Sequence, residues 1–177
     1  MDLYNETAVN VATMLQEPIG ARRNFTLHLD RLELDADLVA VDVNGEMQLT
    51  LLSDEVLTNV DATATVELTC LRCLEQYVQP TRTRFQEEFR VAYDVHSGAA
   101  VRSADVDDDD DERFTINDAH ELDIREALRQ ELIVSLPMRP SCGALCPGPP
   151  VIASDSDEVE DNRFSALGAL LNGTTED

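Results

Sequence analysis

Apolar and polar residues alternate through much of this chain. Phe25, Leu27 and Leu29 are separated by Thr26 and His28, which predicts a half-buried strand. The same period of two runs through Val39, Val41 and Val43. It resumes beyond Asn44-Gly45 through Met47, Leu49 and Leu51. Asn-Gly accepts the positive φ angles of a two-residue turn, so this stretch predicts a β-hairpin turning at Asn44-Gly45. Val60, Ala62, Ala64, Val66 and Leu68 predict a further strand that runs directly into Cys70. Phe85, Phe89, Val91 and Tyr93 mark a long extended segment after it.

Two stretches carry helical spacing instead. Val11, Met14 and Leu15, within residues 7–17 and ahead of Pro18, predict a short N-terminal helix. Ile124, Ala127, Leu128, Leu132 and Ile133 form one apolar face of a second helix. It begins near Asp123, where Asp123 and Glu126 stand at the offset of a capping box, and it ends before Pro137. The expected class is α+β: an antiparallel curled sheet or partial β-barrel of about five or more strands, with the short N-terminal helix and a C-terminal helix packed on it.

Residues 96–113 break the pattern with Asp105 and an unbroken acidic run from Asp107 to Glu112. The glycine and spacing of a calcium loop are missing, so a solvated flexible loop is expected. Pro147-Gly148-Pro149-Pro150 and the acidic stretch 154–161 follow the last cysteine. The expected organisation is a single α+β domain over 1–148 and an acidic tail over 149–177. In that tail Phe164, Leu167, Leu170 and Leu171 have the spacing of a short amphipathic helix.

The chain has 177 residues, enough to bury a core without disulfides, and 43% of them are hydrophobic. Tryptophan is absent, so Leu, Val, Ile and Ala must fill the core. Charge changes the picture most. The net charge is −23, and all 13 basic residues are arginine. Such a chain repels phosphate backbones, which argues against a broad electrostatic grip on nucleic acid and favours basic proteins as partners. The acidity equally serves solubility. No stretch approaches the ~20 apolar residues of a membrane helix, and residues 1–17 lack the basic start of a signal peptide. A cytoplasmic protein with reduced cysteines is expected.

The four cysteines come in pairs, Cys70-Leu-Arg-Cys73 and Cys142-Gly-Ala-Leu-Cys146. Two short loops with two thiolates each are a common way to build a closed tetrahedral Zn²⁺ site, and four protein ligands leave no open position for a substrate. A structural zinc on Cys70, Cys73, Cys142 and Cys146 is expected. The alternatives are four unrelated small hydrophobes and a CxxC thiol redox pair at Cys70 and Cys73, although no βαβ pattern surrounds that pair. His28, His96 and His120 are isolated in the sequence, and no nucleophile elbow, P-loop or dinucleotide fingerprint occurs. A non-enzymatic role is expected. Arg72, Arg82, Arg84 and Arg90 cluster in sequence, either as a local basic patch or as partners of the many acids.

Several segments together resemble a known family. They are Asn10-Val-Ala with Leu15-Gln-Glu-Pro-Ile-Gly20, Gly45 of the expected hairpin, Cys70-Leu-Arg-Cys73-Leu-Glu75 and Phe85-Gln-Glu-Glu-Phe89. Further on come Leu122-Asp123, Leu136-Pro137-x-x-Pro140-x-Cys142-x-x-x-Cys146 and Asn162-Arg163-Phe164-Ser-Ala-Leu167. Over residues 10–171 the chain resembles the YceD family, the large ribosomal RNA subunit accumulation proteins. The resemblance implies a role in ribosome biogenesis, with a basic large-subunit ribosomal protein or a pre-ribosomal particle as the expected partner. An interaction module unrelated to ribosomes is the alternative. Many family members continue with Gly-Leu-Cys-Pro-x-Cys-Gly, whereas here Cys146 is followed by Pro147 and no further cysteine.

Overall fold

A computed structural model describes residues 2–53, 55–92 and 114–149. Four long strands dominate it. They are β3 (Arg22–Asp35), β4 (Leu38–Leu51), β5 (Glu55–Thr69) and β6 (Gln76–Val91), each antiparallel to the next. Two short strands extend this sheet at its edges, and both pair in parallel: β1 (Asp2–Tyr4) along β3 and β7 (Thr115–Ile116) along β6. The six strands curl into a half-barrel. Strand β2 (Ala8–Asn10) pairs separately with β8 (Glu121–Asp123), and helix α1 (Arg125–Ser135) packs on β6 and β3.

The expected curled sheet and C-terminal helix are therefore present, while the short N-terminal helix is not. Residues 8–10 are strand, and only Met14–Gln16 form a 3₁₀ turn. Val9 and Val11 are both buried, which is the period of a strand, and Val11 N–H donates to the His120 carbonyl at 2.9 Å. β-branched residues held by a neighbouring strand override the helical spacing of Val11, Met14 and Leu15.

The hairpin turn also falls elsewhere. Asn44 and Gly45 lie inside β4, and the chain reverses at Ala36-Asp37, with Asp35 paired to Leu38. A β-bulge accounts for the misleading pattern. Three steps along β4, from Val41 to Asn44, match only two along β5, from Thr65 to Thr63, and Asp42 takes φ +52°. The extra residue switches which alternate positions face inward. Ala40 and Val43 are buried, while Val41 is 38% exposed. Gly45 serves close strand packing rather than a turn. A Cβ there would stand 2.7 Å from the Asp61 carbonyl oxygen and 2.9 Å from the Ala62 Cβ.

One face of the sheet carries the core. Phe25, Met47, Val60 and Phe85 form a buried row across the four long strands, and α1 adds Ala127, Leu128 and Leu132. Asp123 accepts the Arg125 N–H at 2.9 Å, although the N-cap position itself is Ile124, which has no side-chain cap. Glu126 does not close the box; it binds Arg129 and Gln130 instead. The acidic run at 105–112, Tyr93, His96 and the apolar tail positions 164–171 lie outside the described residues.

Substituting Gly45 by alanine tests the close approach of β4 and β5. Overpacking at such a site costs about 1–3 kcal/mol, so denaturant unfolding of Gly45→Ala should show a loss of that size. A variant as stable as the parent would mean that the strands are not so close.

Candidate metal centre

Strand β5 ends at Thr69, which pairs with Gln76 at the start of β6, so residues 70–75 form the connection of a long hairpin. Backbone bonds fix its shape. The Cys70 N–H donates to the Glu75 carbonyl at 2.9 Å, and the Leu74 N–H donates to the Cys70 carbonyl at 2.9 Å. The reversal places Leu74 at φ +65°, a left-handed conformation that a branched side chain rarely adopts. The Arg72 N–H donates to the Cys70 sulfur at 3.4 Å.

The second pair arrives from α1. Leu136 leaves the helix in extended conformation, and the chain crosses to the hairpin tip. There the Leu71 N–H donates to the Pro140 carbonyl at 3.0 Å, and the Ser141 N–H donates to the Tyr77 hydroxyl at 3.1 Å. Gly143 turns the loop at φ +97°, and the Cys146 N–H closes it on the Gly143 carbonyl at 3.2 Å. These bonds bring Cys142 and Cys146 over the first pair, although 68 residues intervene between Cys73 and Cys142.

All four sulfurs lie within 4.8 Å of one another. Cys70 Sγ is 3.8 Å from Cys146 Sγ, and Cys73 Sγ is 3.6 Å from Cys142 Sγ. A tetrahedral thiolate site with metal–sulfur bonds near 2.3 Å has edges of about 3.8 Å, so the donor set and its spacing fit a metal ion. Disulfide bonds would need sulfurs at about 2.05 Å. Cys70 and Cys73 are buried, and Cys142 and Cys146 are half-buried.

The electrostatics point the same way. Backbone N–H groups, of Cys73 first and then of Cys142 and Arg72, lower the Cys70 pKa to about 6. At Cys73 the Glu75 N–H acts downward, but burial and the Cys70 thiol act upward and the net shift is up. The Cys146 thiol, followed by burial and the thiols of Cys73 and Cys70, pushes Cys142 up to about 12. Packed this closely, the sulfurs resist common ionisation, because like charges disfavour one another and burial disfavours each. A divalent cation at their centre removes that conflict.

The other sequence candidates are not drawn to this cluster, apart from Arg72. Arg82 and Arg84 both grip Asp61, with Nη2–Oδ2 distances of 2.7 and 2.6 Å, and Arg90 meets Glu55 at 3.2 Å. His28 bonds Asn44 at 2.8 Å and stacks on Tyr4, and His120 sits in the turn before β8. A feature that hydrophobic spacing did not single out is a groove of about 830 Å³ on the polar face of the sheet. Asn24, Gln48, Asn59 and Gln86 line it as one row across β3–β6. The signal was present as one polar position per strand at matching register, but it becomes visible only once the register is known.

The comparison with protein families adds one decisive match. The model of the large ribosomal RNA subunit accumulation protein YceD matches residues 58–171, which is more than half of the chain and includes all four cysteines. The chain belongs to the YceD family. The YceD match begins within β5, so the N-terminal segments and Gly45 lie outside it. No curated protein and no solved structure matches the chain. Membership in YceD supports a role in accumulation of large-subunit ribosomal RNA. Among the described residues, no helix is long and apolar enough to cross a membrane.

The thiol environment predicts how metal binding responds to pH. A thiol must lose its proton to bind a metal, and Cys70 has already lost most of its own above about 6. At pH 7, loading the reduced apoprotein should release fewer than four protons per ion. Release should rise toward four as pH falls below 6, because Cys70 then starts protonated. Calorimetry in buffers of different ionisation enthalpy measures this number; a constant release of four at both pH values would contradict the assignment.

Proposed function

We propose that this protein is a non-catalytic factor in assembly of the large ribosomal subunit, stabilised by one structural Zn²⁺ and acting on a basic ribosomal protein or a pre-ribosomal particle in the cytoplasm. The family match over residues 58–171 carries the reading. The thiolate cluster supports zinc: the ligands are all sulfur, their spacing suits a tetrahedron, and no fifth group is needed. The cysteines that follow this position in many relatives are not required, since the four retained here meet at one point. When bound, the metal would tie the β5–β6 connection to the loop after α1.

The charge supports the choice of partner. With 36 acidic and 13 basic residues the chain repels phosphate, and three of the sequence-clustered arginines are already occupied by Asp61 and Glu55. Before assembly, basic ribosomal proteins carry unpaired positive charge, and an acidic partner attracts and screens them. The redox alternative is disfavoured by access, because Cys70 is completely buried and Cys73 is only 8% exposed. An interaction module unrelated to ribosomes would share the zinc but not the partner.

Two outcomes are expected for the metal. Protein purified without chelator should contain one zinc per chain by elemental analysis. Cys73→Ser should lower the melting temperature by roughly 10 °C, since a structural zinc contributes its binding energy to folding. Freely reactive thiols, no zinc and an unchanged melting curve would remove the metal from the reading.

For the partner, the purified protein should retain at least one basic large-subunit protein at low salt and bind naked rRNA weakly. Shortening the 105–112 run should slow association more than it changes dissociation, because charges away from the contact itself act mainly by steering. Co-sedimentation with pre-ribosomal particles separates this reading from the unrelated module. Tight, salt-resistant binding to an rRNA fragment with no ribosomal protein retained would overturn the choice of partner but not the family.

A further inference from the structure

The cysteine cluster has an apolar rim. Leu71, Leu74 and Leu145 each adjoin a cysteine in sequence and are 64%, 63% and 97% exposed. Met138, 98% exposed, lies two residues before Pro140, whose carbonyl accepts the Leu71 N–H. Single exposed apolar residues need no explanation, but several around one point mark a contact surface. Two cations stand beside them. Arg72 and Arg139 are exposed, and neither forms an ion pair among the described residues, unlike Arg82, Arg84 and Arg90. In a chain of net charge −23, positive charge left unpaired beside an apolar rim suits an acidic and apolar occupant.

This chain contains such a segment, and it starts at the rim. The described residues end at Pro149, and a Cβ on the preceding Gly148 would stand 4.0 Å from the Arg72 guanidinium. Beyond lie Asp155, Asp157, Glu158, Glu160 and Asp161, and then Phe164, Leu167, Leu170 and Leu171. In helical conformation these four apolar residues share one face. The family match continues through the acidic stretch and stops at residue 171, the last of the four, so the segment belongs to the matched pattern. The linker of residues 150–163 reaches about 45 Å when extended, enough to return to any point of the rim. A covalent connection of this length holds its end at an effective concentration on the order of millimolar.

We propose that residues 164–171 fold back as a short amphipathic helix onto the rim formed by Leu71, Leu74, Met138 and Leu145, with the preceding acids beside Arg72 and Arg139. The docked segment occupies the apolar rim beside the cysteine cluster and competes with any partner that uses the same surface. The proposal requires neither zinc nor the ribosomal reading.

The chain has no tryptophan, so Phe164→Trp in the full-length protein provides a single reporter. Its emission should be blue-shifted from that of a solvated indole and should stay so on hundredfold dilution. Adding Leu71→Asp with Leu145→Asp should return the emission to the solvated value, since each buried leucine lost shifts the docked-to-free ratio by roughly tenfold or more. Leu167→Asp with Leu170→Asp should do the same from the other side of the contact, and these positions lie outside the core described above. Solvated emission in the reporter protein itself would overturn the proposal and leave the rim to another molecule. A blue shift that disappears on dilution would overturn it in favour of a second copy. A blue shift unaffected by the rim substitutions would place the segment elsewhere and also overturn it.

Discussion

The Leu71–Pro140 hydrogen bond, with the one from the Ser141 N–H to the Tyr77 hydroxyl, joins two parts of the chain that lie far apart in sequence. One is the reversal between two strands of the same sheet; the other is a loop released by a helix. Where they touch, four sulfurs come within 4.8 Å, close enough that all four cannot readily ionise together. Hydrogen bonds from backbone and tyrosine place the loops, and the thiol cluster they assemble is compatible with a metal ion at its centre. Helix α1 is held at its first turn by Asp123 and across the sheet by Arg129, whose Nη1 donates to the Leu34 carbonyl at 2.8 Å. Its far end continues directly into the cysteine loop.

Legibility from sequence followed how local each cause was. Strand β5 was readable because Val60, Ala62, Ala64 and Val66 face one core without interruption, and α1 because its apolar face and Pro137 are both local. The cysteine pairs were readable as chemistry, since two short spacings in one chain already define a donor set. The bulge at Asp42 was not readable. It changes which residues face inward, and an alternating pattern on both sides of Asn-Gly resembles a turn until the partner strand is known. The N-terminal segment failed for a related reason: its three apolar residues suit a helix, but the pairing of Val9 with Leu122 decides the matter from 113 positions away. Parallel edge strands of two or three residues leave no pattern of their own.

Surface charge divides into two kinds. Asp61 is held far below the usual carboxylate range by Arg82 and then Arg84, and Glu126 is lowered by Arg129 and Gln130. These acids are tied to the sheet and helix. Of the 36 acids, 12 lie in two short runs, 105–112 and 155–161, outside the described residues. The described residues still carry 20 acids against 10 arginines, and the two runs join them after Ala92, before Phe114 and after Pro149.

Strand β6 separates two of those points. Cys70 and Cys73 lie just before its start at Gln76, and residues 93–113 begin just after its end at Val91. They also return there, because the Arg90 N–H donates to the Phe114 carbonyl at 3.0 Å. Sixteen residues of extended chain measure roughly 50 Å. The strand thus acts as a ruler, with the cysteine sulfurs at one mark and the Arg90–Glu55 ion pair at the other. A molecule that touches both marks at once must itself be elongated on that scale, and a compact one must choose an end.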